Sequence, residues 1–273
     1  TQIPVGCKRL GFILNKIEWQ RRVSFLPGVV IFNLEIMMTY VILIVTVVVS
    51  IACFNNYSLF NKLSCSPYRM VHSGEWYRII SHGFVHADWT HLIVNMFTFL
   101  SFGLYVENQF VAWGFGSSSF LVLYFGGMVA ASIYDVWKYR NNQYYSSIGA
   151  SGAVSAILFT AIFLNPWDKI YFFAIVPIPG IVFGFVYLLY CQYMAKRGGD
   201  NINHNAHFYG AVFGLIFPVL LEPRLLQMFI QQLLRHWKTY LFISIRNLAL
   251  NQLDIINSLR QAWSSIRKKI FKK

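Results

Sequence analysis

The chain of 273 residues is 56% hydrophobic and only 12% charged, and it carries a formal net charge of +13. Soluble domains carry about 25% charged residues, so this composition argues against a soluble protein and predicts an integral membrane protein that lies in a lipid bilayer. The positive charge flanks apolar segments and forms no recognition motif, which argues against a nucleic-acid-binding protein.

The N-terminal segment, residues 1–29, precedes the first long apolar run and is predicted to be cytoplasmic. It contains five basic residues and no short apolar run that ends at a small-residue cleavage site, so no secretory signal is expected. The four cysteines of the chain are scattered and form no CxxC pair. This pattern argues against a disulfide framework.

Six segments are apolar enough to cross a bilayer, which takes about 20 residues per helix. They lie at about 30–53, 91–109, 116–137, 150–165, within 170–194, and 205–222. Pro177 and Pro179 interrupt the fifth segment. Because proline fits the first turn of a helix and breaks its interior, that helix is expected to start near Pro179, with 170–176 at the membrane interface.

The distribution of lysine and arginine orients this core, residues 30–222. With the N-terminus inside, sixteen basic residues lie in inner segments and seven in outer segments, so both termini are predicted to be cytoplasmic by the positive-inside rule. The remaining tail, residues 223–273, is basic and nearly keeps helical spacing of its apolar residues. We expect an amphipathic helix that binds lipid headgroups or a partner protein.

Four polar side chains stand near the starts of three predicted spans. They are His91 and Asn95 in the second, Ser151 in the fourth and His207 in the sixth. These spans all run from outside to inside, so the four side chains are expected at a similar depth below the outer surface. Polar groups inside a membrane bundle indicate function by default, and a serine beside a histidine is the pairing that nucleophilic catalysis needs.

Other membrane-protein chemistries have less support in the sequence. There is no HExxH motif of a metalloprotease. An aspartyl pair needs two facing carboxylates, and only Glu35 is expected well inside a span. The spacing of His82, His86 and His91 suits no common zinc site, so neither a metal nor another cofactor is predicted.

Three motifs in order resemble one known family. HADWTHLIVN (86–95), GASG (149–152) and AHFYGAVFG (206–214) are similar to the motifs of the rhomboid intramembrane serine proteases, and the resemblance covers about 70–222. It implies an all-α, polytopic membrane protein with a six-helix rhomboid-like bundle, to which the amphipathic tail is added.

The resemblance also implies roles for individual residues. Ser151 matches the nucleophile and His207 the general base, while His91 and Asn95, with the Ser151 backbone N–H, match the oxyanion hole. The residues that match structural positions of the family are His86, Trp76, Arg78, Gly149, Gly152, Gly210 and Gly214.

One position departs from the family pattern. Many members carry a tyrosine four residues after the nucleophile, where its ring stacks beside the histidine, and this chain has Ser155 there. Two alternatives follow: His207 is held less firmly, or another aromatic residue, such as Phe208 or Tyr209, takes over its support.

The matched depth of Ser151 and His207 favours a serine hydrolase, and the resemblance implies a serine endopeptidase that cleaves transmembrane segments of protein substrates near the outer membrane face. Two alternatives stay open: an inactive rhomboid-like protein that binds transmembrane clients, and a scaffold or transport subunit. A bacterial cytoplasmic membrane is the expected location.

Overall fold

A computed structural model describes residues 37–172, residues 175–236 and residues 257, 258, 260 and 261. The predicted N-terminal segment 1–29 and most of the predicted tail lie outside the described residues. The chain divides into two compact units, and the boundary falls after Pro223.

The first unit is helical apart from one small hairpin. Its long helices are α1 (Met38–Phe54), α5 (Trp89–Ala112), α6 (Gly116–Tyr139), α7 (Ser151–Leu164), α8 (Gly180–Arg197) and α9 (His204–Leu221). Between α1 and α5 lie the short helices α2 (Tyr57–Leu63), α3 (Pro67–Ser73) and α4 (Arg78–Ser81), followed by a 3₁₀ turn (His82–Phe84).

Three described helices, α5, α6 and α9, are long and apolar enough to cross a membrane, while α1 and α7 are apolar but shorter. The prediction of a multi-pass helical membrane protein is confirmed by these three helices, whereas the number of six spans stays a prediction. The predicted start of the fifth segment is also confirmed, because α8 begins at Gly180 directly after Pro179.

Helix α7 lies at the centre of the first unit. All of its residues from Gly152 to Leu164 are buried, and it packs against α5, α6, α8 and α9. A helix that is apolar on all sides suits such a buried position. Ser151, its first residue, is half-buried and lies at the open end of this central helix.

Small residues bring α7 and α9 into backbone contact. A side chain added at Gly210 would collide with the Gly152 carbonyl, and one added at Gly214 would collide with the Ala156 carbonyl. The Thr160 hydroxyl donates a 2.9 Å hydrogen bond to the Gly214 carbonyl. Close approach of this kind is how helices associate in lipid, and it fixes the start of α7 against the start of α9.

Two carboxylates lie inside helices, where the sequence led us to expect only Glu35. Glu107 and Asp135 are fully buried, on α5 and α6. Each carboxylate is near the C-terminal end of its helix, and a connection of three residues joins α5 to α6. Glu107 therefore lies near the connection and Asp135 at the far end of this helical hairpin. The two are too far apart to form an aspartyl pair. Both are tolerated because they accept hydrogen bonds.

Glu107 caps the start of α1. Its carboxylate accepts hydrogen bonds from the Met38 N–H (2.8 Å), the Thr39 N–H (2.9 Å) and the Thr39 hydroxyl (2.7 Å). The first N–H groups of a helix have no partner within the helix, and a carboxylate complements the positive end of the helix dipole.

An antiparallel hairpin precedes α8. Strand β1 (Lys169–Phe172) pairs with β2 (Val176–Pro179), with Lys169 opposite Pro179. The N–H of Gly180 then donates to the Asp168 carbonyl (2.9 Å) and that of Ile181 to the Pro166 carbonyl (2.7 Å). The hairpin occupies the segment for which the sequence predicted only an interfacial position.

The second unit is described in part. Residues 224–236 are helical. In this helix Leu225 is buried, whereas Met228 and Leu234 are exposed. The remainder of the predicted amphipathic tail lies almost entirely outside the described residues.

Candidate active site

A glycine turn positions Ser151 at the start of α7. Gly149 adopts φ +105°, a region that glycine occupies without strain, and its N–H donates to the His82 carbonyl (2.9 Å). Its bare Cα faces the His91 ring: an added Cβ would lie 2.8 Å from Cε1 and 2.9 Å from Nε2. The turn therefore places the His91 imidazole against Gly149, which precedes Ser151 by two positions in the chain.

Helix α5 supplies the other predicted oxyanion donors. Asn95 is buried, and its amide donates a 2.9 Å hydrogen bond to the His91 carbonyl one turn back. Asp88 caps the helix by accepting from the His91 N–H (2.8 Å). His91 and Asn95 thus lie on consecutive turns of one capped helix.

His86 supports His91 from the loop before α5. The two rings meet edge to face with centroids 4.8 Å apart, and His86 Nδ1 is 2.9 Å from the Ser50 hydroxyl on α1. Burial lowers the pKa of His86 to about 3, so this imidazole is neutral at physiological pH. A neutral ring packs beside His91 without adding charge to the site.

His207 lies between Ala206 and Gly210, two residues through which α9 contacts Gly152 of α7. Asn203 caps α9 by accepting from the Ala206 N–H (3.0 Å), and Ala206 lies against Gly152. Ser151 and His207 therefore project from adjoining helix starts. Within the described part of the chain no direct hydrogen bond joins the two side chains, and catalytic hydrogen bonds in proteins without substrate are often long.

The aromatic ring beside His207 belongs to Tyr187 on α8. The two rings are nearly parallel, at an interplanar angle of 11° with centroids 6.3 Å apart, and the Tyr187 hydroxyl is 3.1 Å from the Ser155 hydroxyl. Tyr209 instead stacks on Tyr134. The expectation that Phe208 or Tyr209 supports His207 is therefore replaced by a ring from another helix, whose hydroxyl ends at Ser155.

A buried carboxylate holds the start of α9. Asp135 accepts hydrogen bonds from the Tyr145 hydroxyl (2.7 Å) and from the Asn203 amide. Asn203 is the residue that caps α9, so Asp135 fixes the end of the helix that carries His207. Sequence reasoning missed both residues, although an acid in an apolar span was the signal that could have found Asp135.

A small cavity lies behind Ser151. Its volume is about 20 Å³, and among its lining residues are Ser132, Asp135, Ser147, Ser151 and Asn203. It is large enough for one water. Asp135 Oδ1 is buried without a hydrogen-bond partner in the described part of the chain, so a polar group is available to hold that water.

The first loop carries the remaining predicted structural residues. Arg78 is buried, pairs with Glu75, and donates to the carbonyls of Asn61 and Ser64, both at 2.7 Å. The hydrogen bond from Arg78 lowers the pKa of Glu75. Trp76, by contrast, is 52% exposed. Arg78 therefore ties the short helices of the loop together, whereas Trp76 faces outward.

Comparison with protein families gives one match. The Rhomboid domain family matches residues 73–224, which is more than half of the 273 residues. The matched region contains α5 to α9 and all of the residues described above at the starts of α7 and α9.

Curated relatives agree with that match. The chain is similar to "RHOMBOID-like protein 12, mitochondrial" of Arabidopsis thaliana (28% identity over 53% of this chain and 46% of the relative). It is also similar to "Rhomboid protein 1, mitochondrial" of Saccharomyces cerevisiae (29% identity over 51% of this chain and 40% of the relative). A third relative is "Rhomboid-related protein 1" of Caenorhabditis elegans (26% identity over 62% of this chain and 46% of the relative).

The chain spans less than half the length of these three relatives. All three come from eukaryotes and two are named mitochondrial, so they lend no support to the predicted bacterial membrane.

Proposed function

The chain belongs to the rhomboid family, and from that premise we propose that it is an intramembrane serine endopeptidase. Ser151 is the nucleophile, His207 the general base, and transmembrane segments of other proteins are the substrates. The observation that carries this proposal is the backbone contact between Gly152 and Gly210, because it brings the helix starts that bear Ser151 and His207 together.

The proposed chemistry is acyl transfer to water. His207 accepts the proton of the Ser151 hydroxyl while the oxygen attacks a peptide carbonyl of the substrate. His207 then gives the proton to the leaving amine, and a water molecule releases the acyl group by the same path in reverse. A Ser-His dyad has no acidic residue to orient the histidine. Here the Tyr187 ring and the Asn203 cap of α9 orient the His207 imidazole.

The oxyanion of the intermediate has three candidate donors. The Ser151 N–H lies in the first turn of α7, where N–H groups lack partners within the helix, and the dipole of the helix favours negative charge there. The His91 ring and the second N–H of the Asn95 amide complete the set. Loss of one such donor typically costs about 2.7–4 kcal/mol of transition-state stabilisation.

Helix α8 is proposed to gate lateral entry of the substrate. Only Gly180, Gly184 and Cys191 are buried in it, and most of its large apolar side chains face outward. A substrate helix that enters beside α8 must unwind, because an intact helix engages its own carbonyls in hydrogen bonds. We place six spans in the membrane, α1 and α5 to α9, with both termini inside.

A second candidate is a rhomboid-like protein that binds transmembrane clients without cleaving them. The observation that favours it is that no direct hydrogen bond joins Ser151 and His207 within the described residues. The protease and the client-binding protein would both use the surface beside α8. Only a measurement of substrate cleavage distinguishes the two candidates.

The test uses the purified full chain in liposomes with a single-span transmembrane substrate. The proposal expects cleavage by the wild type, none by Ser151→Ala or His207→Ala, and slowed cleavage by Asn95→Ala. If the wild type binds the substrate but cuts it no faster than Ser151→Ala does, the client-binding candidate replaces the protease.

A further inference from the structure

Three side chains that bind metals converge beside His207. Cys191 lies on α8, and His204 and His207 lie one helical turn apart on α9. One ligand atom from each of the three lies within 4.8 Å of the other two. Cys191 and His204 are buried, and His207 is half-buried. A thiol and two imidazoles form a donor set that suits Zn²⁺.

The hydrogen bonds of His204 are those of a metal ligand. Its Nε2 lies 2.9 Å from Asp200 Oδ2, so the carboxylate accepts a hydrogen bond from the Nε2–H group. In the neutral tautomer that this hydrogen bond selects, the other nitrogen, Nδ1, carries a lone pair, and it is buried without a partner in the part of the chain that the structure describes. His204 is only 4% exposed. Histidines that bind metals usually donate their second ring N–H to a carboxylate in this way.

We propose that Cys191, His204 and His207 form a Zn²⁺ site in which Asp200 orients His204. In a tetrahedral zinc site the ligand atoms are roughly 3.3–3.8 Å apart, given bonds of about 2.0–2.3 Å. The cluster therefore has to contract by about 1 Å, which side-chain rotation can supply. The fourth position is left to water, and the thiol of Cys191 releases its proton as the metal binds.

Zinc at this site inhibits the enzyme in two ways. It occupies the imidazole of His207, which can then no longer accept the proton of Ser151. It also links α8 to α9 and so holds the proposed gate helix in place. This inhibitory consequence rests on the proposed function, whereas the binding of the metal does not.

The first test measures binding without any activity. The full chain in detergent is freed of metal with a chelator and titrated with Co²⁺, whose bond to a thiolate gives a charge-transfer band. One equivalent is expected to produce the band in the wild type and in Cys53→Ser, which lacks another buried cysteine. Cys191→Ser is expected to lose the band, and Asp200→Asn to bind about 10–100-fold more weakly.

His204→Gln is the second ligand variant and serves if Cys191→Ser does not fold. The site is overturned if the wild type gives no band, or if Cys191→Ser and His204→Gln bind Co²⁺ as the wild type does.

The second test measures cleavage of the transmembrane substrate as Zn²⁺ is added. The wild type and Cys53→Ser are expected to be inhibited and to recover with chelator, while Cys191→Ser requires at least about tenfold more Zn²⁺. A chain that binds Co²⁺ through Cys191 but never cleaves contradicts the proposed protease and leaves the site intact. An active chain that is indifferent to Zn²⁺ and gives no cobalt band contradicts the site alone.

Discussion

At the scale of single residues, the ring beside His207 comes from a helix that the sequence did not indicate. Tyr187 lies parallel to the imidazole and reaches Ser155 with its hydroxyl. Tyr187, with its hydroxyl beside Ser155, therefore supplies a ring next to His207, the role that the family resemblance assigns to a tyrosine four residues after the nucleophile. The ring limits the orientations that His207 can adopt.

Replacing Tyr187 by alanine is expected to lower kcat/KM roughly two- to tenfold, because an aromatic pair contributes about 0.5–1.5 kcal/mol beyond the area it buries. Tyr187→Phe keeps the ring and is expected to retain most of the activity. Both are measured by cleavage of the transmembrane substrate at several substrate concentrations.

A swap provides the control for this prediction. The double variant Ser155→Tyr with Tyr187→Ser returns the ring to α7 and is expected to recover activity that Tyr187→Ser alone loses. If Tyr187→Ala cleaves at the wild-type rate, the ring has no part in positioning His207.

The sequence predicts part of this site. Contacts between residues close together in the chain could be predicted, and contacts between distant residues could not. Ser151 and Gly149 stand in one short motif, so their glycine turn could be anticipated. Tyr187 meets His207 across two helices, 20 positions apart in the sequence, and it stands in an apolar run where nothing distinguishes it from its neighbours. The same is true of Cys191 beside His204.

At the scale of elements, the contact between α7 and α9 is the least adjustable part of the fold. The atoms that an added Cβ at Gly210 would meet belong to the backbone of Gly152, which cannot rotate away. Gly210→Ala is therefore expected to destabilise the protein by about 1–3 kcal/mol and to separate Ser151 from His207. Thermal unfolding in detergent and substrate cleavage measure the two effects.

Gly126→Ala is the matched control on α6. There the added Cβ would meet the ring of Phe213, 2.7 Å from Cζ, and a side chain can move. The gain in helix propensity from glycine to alanine, about 1 kcal/mol, offsets part of the remaining cost. A Gly210→Ala variant as stable and active as Gly126→Ala would contradict the importance of the close contact.

The carboxylate cap of α1 gives a second prediction at this scale. Glu107→Ala leaves the N–H groups of Met38 and Thr39 without an acceptor, so the free energy of unfolding is expected to fall by at least about 2 kcal/mol. Asn108→Ala, at an exposed neighbouring position, serves as the control. Equal unfolding temperatures for the two variants would show that the cap contributes nothing.

Helices could be predicted better than the hairpin before α8. Long apolar runs predicted α5, α6 and α9, and Pro179 predicted the start of α8, because proline constrains the backbone locally. Strands β1 and β2 have four residues each and contain two prolines. Proline cannot donate to a strand ladder, so the sequence argues against the hairpin. Hydrogen bonds from Gly180 and Ile181 to the carbonyls of Asp168 and Pro166 close it at its open end.

At the scale of the whole molecule, stability is expected to depend on pH through two buried histidines of the first loop. Burial lowers the pKa of His82 to about 4 and that of His86 to about 3. The unfolded chain has the ordinary value of about 6.5, so it binds protons first as the pH falls. The contribution of these two histidines to stability is therefore fully present above about pH 6.5, and it is lost as the pH falls through about 4 for His82 and about 3 for His86.

The slope is at most about 1.4 kcal/mol per pH unit for each histidine. Unfolding temperatures between pH 7.5 and pH 5 measure it. The slope is expected to be smaller in His82→Gln than in the wild type. A slope that is unchanged in His82→Gln and in His86→Gln would show that other groups set the acid sensitivity.

The bundle as a whole brings together two helix starts, one bearing Ser151 and the other bearing His207. Helix α7 is central, the glycines set its distance from α9, and Asp135 and Asn203 hold the end of α9. Each of these features is structural by itself. Together they bring the start of α7, which bears Ser151, against the start of α9, which bears His207, and Gly149 against the His91 ring.

The most direct measurement is the labelling of the full chain with a fluorophosphonate probe, with the modified residue located by mass spectrometry. Labelling is expected at Ser151; it is abolished in Ser151→Ala and His207→Ala and retained in Ser155→Ala. Labelling that persists in Ser151→Ala and vanishes in Ser155→Ala would move the nucleophile one turn along α7 and contradict the assignment.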